Sequence, residues 1–144
     1  IRCPLLVRWP GKIKAGTTSD HISAHWDLFP TFCELAGTET PDDLDGISFL
    51  PALLGAEQKQ HEYLYWEFFE GGGKRAVRIG KWKAVQNQVN REGQNASIEI
   101  YDLESDRAET RNLADQNAEL ITEVRKIFKR AHTPSPLWKF NWEK

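Results

Sequence analysis

The sequence contains no methionine, only two cysteines and no long apolar run. Without a stretch of about 18 consecutive apolar residues, no membrane span is predicted. The N-terminus has none of the three parts of a signal peptide. Because the chain begins at Ile1 and not at a methionine, we expect a piece of a longer protein whose targeting segment lies upstream. Cys3 and Cys33 have no metal-binding spacing and are expected to be buried free thiols.

A charge excess of either sign is also missing. The 144 residues carry a formal net charge of -2, so no binding of nucleic acid is predicted. Because 40% of the residues are hydrophobic and 28% are charged, the chain can form one globular core, or two small ones.

No catalytic pattern is present either, whether a nucleophile with a histidine, a phosphate-binding glycine loop or a histidine pair. The acidic loop with Asp42, Asp43 and Asp45 lacks the other ligands of a calcium loop and is interpreted as a solvated turn. Of the four histidines, His25 is the most interesting because it lies beside Asp27, although a lone loop histidine is more often structural.

The most informative stretch is residues 63–85, in which aromatic and β-branched runs surround glycines 71–73. This pattern predicts an antiparallel meander. An alternating segment after it predicts a fourth strand. A helix at 118–131, capped by Asn117, has one apolar side and is expected to lie across the sheet. The predicted strands span residues 62–69, 74–79, 81–87 and 97–103.

Five basic residues lie between positions 74 and 83 of this meander. An exposed sheet face that carried them would attract an anionic group, and a solvated charged face is the alternative. The turn with the three glycines is the preferred place for substrate contact. The candidate substrate-binding residues are Glu67, Lys74, Arg75, Arg78 and His25.

The first third of the chain predicts one strand and one helix. The apolar run at 3–9 predicts a strand buried on both faces. The helix at 28–36 is expected to begin at a capping Asp27, to end at Gly37 and to bury a stripe with Phe32 and Leu35. The hydrophilic residues 56–60 predict a boundary between a segment at 1–56 and a subdomain at 57–144.

Several of these segments together resemble the sulfatases. R-W-P-G at 8–11, D-L-F-P-T at 27–31 and L-D-G-I-S at 44–48 occur in the order found at the end of the sulfatase catalytic domain. Residues 65–85 and 100–120 are similar to the C-terminal subdomain of the same enzymes. The ordered combination is much more specific than any single motif.

The resemblance implies an α+β chain. Residues 1–56 would be the trailing strand and helix of an α/β alkaline-phosphatase-like domain, and residues 57–144 a four-stranded antiparallel sheet packed with a C-terminal helix. It also implies a calcium-dependent hydrolase of sulfate esters whose nucleophile is a formylglycine made in a C/S-x-P/A-x-R motif. That motif is absent, since P-L-L-V follows Cys3 and E-L-A-G follows Cys33. We therefore expect no catalytic or metal-binding residue here and no activity of the fragment alone.

Three functional interpretations remain open. The chain could be the C-terminal part of a sulfatase, lining the substrate cleft, with the upstream catalytic domain and a sulfated small molecule or carbohydrate as partners. It could be a non-catalytic module that binds anionic glycans, or the same part of a phosphate-ester hydrolase. The resemblance suggests a periplasmic or extracellular location. Because the strand at 3–9 would have open edges, the fragment is expected to self-associate.

Overall fold

The computed structural model describes residues 3–144 and divides the chain into two compact units. The first unit is Ile1–His61 and the second is Glu62–Lys144. No helix between residues 3 and 144 is long and apolar enough to cross a membrane.

The second unit is built on a four-stranded antiparallel sheet of strand order β1-β2-β3-β4. Each predicted strand forms and begins and ends within two residues of its predicted bounds, which confirms the meander and its fourth strand. Tight turns join the first strand to the second and the second to the third, because the chain reverses at glycines there. The strands are β1 (Leu64–Phe68), β2 (Lys74–Ile79), β3 (Trp82–Gln86) and β4 (Ile98–Asp102).

A long helix covers one face of this sheet. The first three helices are α1 (Leu28–Ala36), α2 (Leu50–Leu53) and α3 (Val89–Glu92). The fourth helix, α4 (Ala118–Ala131), packs on the sheet as predicted, because its apolar side chains recur every three to four residues. Asn117 does not cap α4 with its side chain, contrary to prediction, because its amide donates to the carbonyl of Leu113 at 2.8 Å. The core consists of Val77, Ala84, Ile98, Ile100, Val124, Ile127 and Phe128.

The predicted strand at 3–9 does not form. In the described part of the chain no strand pairs with these residues, and an isolated strand leaves its backbone hydrogen bonds unmade. Leu6 is 94% exposed, and Cys3 is exposed rather than buried. The apolar run therefore finds no cover within the first unit.

Helix α1 forms over the predicted residues but buries different side chains. Gly37 adopts the left-handed conformation at φ 68° and ends the helix, as predicted. Pro30 and Thr31 are buried, whereas Phe32 is 59% and Leu35 42% exposed. The predicted apolar stripe is present on α1 and is not covered by the first unit.

Candidate functional site

The glycine turn, defined as residues 71–73, connects β1 to β2. All three glycines have positive φ, at 59°, 92° and 74°, which explains why no larger residue stands there. Helix α3 holds the turn, because the amides of Val89 and Asn90 donate to the carbonyls of Gly73 and Gly72 at 3.1 and 2.8 Å. A Cβ on Gly73 would lie 3.0 Å from Cγ of Asn90. The turn is therefore held in place by α3.

The basic residues of the meander do not share one face. Side chains alternate along β2, so Lys74 and Arg78 lie on the face away from α4 and Arg75 lies on the α4 face, only 4% exposed. Nζ of Lys83 contacts Oε2 of Glu109 at 2.5 Å, and Lys81 pairs with Asp102. Lys74, Arg78 and Lys83 thus share the face away from α4, where Lys83 is engaged by Glu109 and Nε of Arg78 donates to the carbonyl of Gly80.

Arg75 is held inside the second unit by a residue that sequence reasoning missed. Its Nε and Nη2 donate to Oε1 of Gln86 at 3.0 and 2.6 Å. Its guanidinium also lies 4.6 Å from the ring centre of Phe128 and 5.2 Å from that of Trp142. Burial lowers the pKa of Arg75. The only sequence signal for Gln86 is a polar residue at an inward position of β3.

Glu67 lies opposite Arg75 in the sheet and contacts His132 at the end of α4. Oε1 of Glu67 is 2.5 Å from Nδ1 of His132, and it also accepts a hydrogen bond from the hydroxyl of Tyr65. Burial, together with Glu67, raises the pKa of Tyr65. Glu67 is therefore an internal acceptor that joins β1 to the helix.

The C-terminal segment, defined as residues 133–144, packs against the rest of the second unit through its aromatic residues. Phe140 is fully buried, with its ring centre 4.4 Å from that of Phe69 and 4.3 Å from that of Trp142. The backbone and side-chain amides of Asn141 donate to Oδ1 and the carbonyl of Asn90, at 3.0 and 2.8 Å. The segment thus lies beside the helix that holds the glycine turn.

In the first unit, the buried Asp27 organises a different polar cluster. Its carboxylate accepts from the amides of Ala24 and Ile47 at 2.6 and 2.8 Å, and from Nε2 of His61 at 2.8 Å. It makes no side-chain cap on α1, so the predicted capping role of Asp27 is wrong. A carboxylate engaged by these donors no longer points at the free amides of the helix.

Thr31 and Gly46 complete this connection between the D-L-F-P-T and L-D-G-I-S segments. The Thr31 hydroxyl donates to the carbonyl of Asp27 at 2.6 Å and accepts from the amide of Phe49 at 3.0 Å. A Cβ on Gly46 would lie 2.4 Å from the carbonyl oxygen of Trp26, so the approach requires glycine. Both motifs therefore have a structural role in closing one loop onto α1.

His25 belongs to a different unit from the other four candidate residues. His25 is exposed on a short 3-10 helix, His25–Asp27, in the first unit, whereas Glu67, Lys74, Arg75 and Arg78 belong to the second. In the first unit, burial lowers the pKa of His21, although the negative charge of Asp27 opposes this shift.

The described residues do not fit calcium or formylglycine. Between residues 3 and 144 there is no group of three or more His, Cys, Asp or Glu side chains that could hold a metal ion. Cys3 and Cys33 are free and outside the modification motif. Those groups would have to be held by residues other than 3–144.

The sheet, its covering helix and the two motif-bearing loops define the C-terminal region of an alkaline-phosphatase-like sulfatase. Residues 1–133 match the family described as "N-sulphoglucosamine sulphohydrolase, C-terminal", and the chain belongs to this family.

Curated relatives and solved structures agree with this assignment. The "Ulvan-active sulfatase" of Formosa agariphila is 31% identical over 79% of this chain. The structure of BT4656 with its substrate D-glucosamine-2-N,6-O-disulfate has a TM-score of 0.70 and 26% identity over 86% of the chain. Ps i-CgsB has a TM-score of 0.74 and 27% identity over 94% of it. The chain spans 29%, 26% and 31% of these proteins, respectively.

Proposed function

We propose that this chain is the C-terminal part of an enzyme that hydrolyses sulfate esters of carbohydrates. The observation that carries the proposal is the family match over residues 1–133. The substrate class is supported by a relative described as ulvan-active and by a structural neighbour whose substrate is a sulfated glucosamine.

The first unit would pack on the upstream catalytic domain of the same enzyme. This placement is supported by an apolar surface that remains uncovered in the unit. The surface includes Leu6, Phe29 and Phe32, which are 94%, 54% and 59% exposed. Single exposed apolar residues are common, but several within one small unit indicate an interface.

The second unit would line the substrate cleft beside the glycine turn. Lys74 and Arg78 are its anion-binding candidates, because they lie on the sheet face away from α4. Glu67 and Arg75 would act indirectly, by fixing the turn from the buried face, and His25 would be a further exposed contact. Fixed cations near the cleft favour a substrate that carries sulfate groups beyond the one hydrolysed.

The test compares the 144-residue chain with the full-length enzyme on D-glucosamine-2-N,6-O-disulfate. Calcium-dependent release of sulfate by the enzyme, and none by the chain, is the expected result, because this chain holds no nucleophile motif or metal cluster in its described residues. Chelator-sensitive turnover by the chain alone would overturn the assignment of roles. Faster hydrolysis of a phosphate ester, or glycan binding without turnover, would overturn the sulfatase proposal.

A mutation in the full-length enzyme tests the cleft residues. Lys74→Ala should raise KM about tenfold with little change in kcat, since a charged hydrogen bond to a remote substrate group is lost. Lys129→Ala, an exposed lysine of α4, is the matched control and should leave both constants unchanged. An unchanged KM for Lys74→Ala would show that Lys74 is a solvated surface residue that does not bind substrate.

A further inference from the structure

His132 follows α4 directly and joins three parts of the second unit. Its Nδ1 lies 2.5 Å from Oε1 of Glu67 on β1, and its Nε2 lies 3.0 Å from Oε1 of Glu143 near the C-terminus. A neutral imidazole has a single N–H and can donate to one of these carboxylates, whereas the charged ring can donate to both. The geometry therefore fits the imidazolium form.

The remaining charged groups around this cluster come from β1, β2, α4 and the C-terminal segment. Glu67 also accepts from the Tyr65 hydroxyl, and Oε2 of Glu143 accepts from the amide of Phe140 at 2.7 Å. Both carboxylates are thus fixed by other donors and cannot easily turn away from a neutral ring. Two further cations interact with the cluster. Arg75 interacts electrostatically with Glu67 and is itself repelled by Arg125. Lys139 interacts electrostatically with Glu143.

The contact between His132 and Glu143 holds the C-terminal segment where it adjoins the glycine turn. The rings of Phe140 and Phe69 pack at a tilt, and Asn141 binds Asn90, whose side-chain amide donates to the carbonyl of Phe69 at 3.0 Å. The ring centre of His132 also lies 6.0 Å from that of Phe140. Release of Glu143 would therefore remove the charged tie of a segment otherwise held by ring contacts and amide hydrogen bonds.

We propose that charged His132 is a pH-sensitive latch that holds the C-terminal segment against the second unit, and that loss of its proton releases the segment. Burial alone would lower the pKa of His132, but the hydrogen bonds and charges of Glu67 and Glu143 outweigh it and raise the pKa above its ordinary value. The stabilisation is therefore complete below the ordinary histidine pKa and is lost as the pH rises through the raised one. This device does not depend on sulfate ester hydrolysis.

Hydrogen exchange of residues 133–144 in the full-length protein tests the latch. Between about pH 5 and pH 9, corrected exchange should rise about tenfold, the effect expected for loss of one charge-assisted hydrogen bond. His132→Gln should exchange rapidly across the range and lose the transition, whereas His25→Gln, an exposed control, should keep it. Exchange independent of pH in the unmodified protein, or a transition preserved in His132→Gln, would overturn the proposal.

A second measurement is independent of whether the variant folds. The imidazole resonances of His132 in the unmodified protein should titrate with a midpoint above the ordinary histidine value, together with the indole resonance of Trp142. The ring of Trp142 lies 6.3 Å from that of His132, so it reports on the position of the segment. A His132 midpoint at or below the ordinary value would also overturn the latch.

Discussion

The two units of this chain satisfy their apolar residues in different ways. In the second unit, four strands and α4 enclose a core in which Val77, Ile100 and Phe128 are at most 1% exposed. In the first unit, described from residue 3, α1 is regular but Phe29 and Phe32 are more than half exposed. An apolar stripe at helical spacing is therefore enough to form a helix. A hydrophobic core also requires a second apolar surface in the same unit, on which the stripe can pack.

Polar interactions compensate for part of this difference in the first unit. Asp27 and Thr31 connect the start of α1 to the loop that contains Ile47 and Phe49, through one partly buried and one buried hydrogen bond. The second unit also has buried polar groups, but there Gln86 and Arg75 lie beside an apolar core. The first unit therefore depends more on hydrogen bonds for its own structure than the second unit does.

The largest effect is expected from truncating the core of the second unit. Phe128→Ala should lower the free energy of unfolding of that unit by about 3–5 kcal/mol, because it removes a buried ring and leaves a cavity. Phe32→Ala on exposed α1 is the matched control, and it should change stability by less than about 0.5 kcal/mol. Urea unfolding followed by hydrogen exchange of each unit measures both, and equal costs would contradict the comparison.

The next effect concerns the polar cluster of the first unit. Asp27→Asn should destabilise this unit by about 2–3 kcal/mol, since an amide group would face a backbone donor at one of its three contacts. Asp20→Asn, at an exposed position, is the control and should be neutral. Exchange of the amides of Ala24 and Ile47 gives the local readout. Unchanged protection of both amides would show that the carboxylate is dispensable.

The smallest effect is expected for self-association of the isolated chain. Exposed apolar residues of the first unit should bring copies together, so light scattering should detect a dimer or a larger species. Phe32→Asp should weaken association about tenfold, the value of one buried apolar side chain, and Lys129→Asp on α4 should not. A monodisperse monomer at moderate concentration would contradict the prediction and indicate that the apolar surface is tolerated in water.

Only part of the candidate site could be predicted from the sequence. The alternation of β2 was visible, and it already assigns Arg75 and Arg78 to opposite faces. No local signal tells which of these faces α4 covers, so the sequence alone groups Arg75 with the exposed cations. Gln86 and His132 were missed as site residues because a single glutamine or histidine carries no local signal for its partner.

By itself, the sequence determined α1, α4, the four strands, the strand order of the meander and the family, because periodicity, turn glycines and ordered motifs act over a few residues at a time. Only the tertiary structure decided which polar residues meet. His132 reaches Glu67 across 65 positions, and Asp27 reaches His61 across 34. Such contacts depend on packing of whole elements, and the same packing denied residues 3–9 a neighbouring strand.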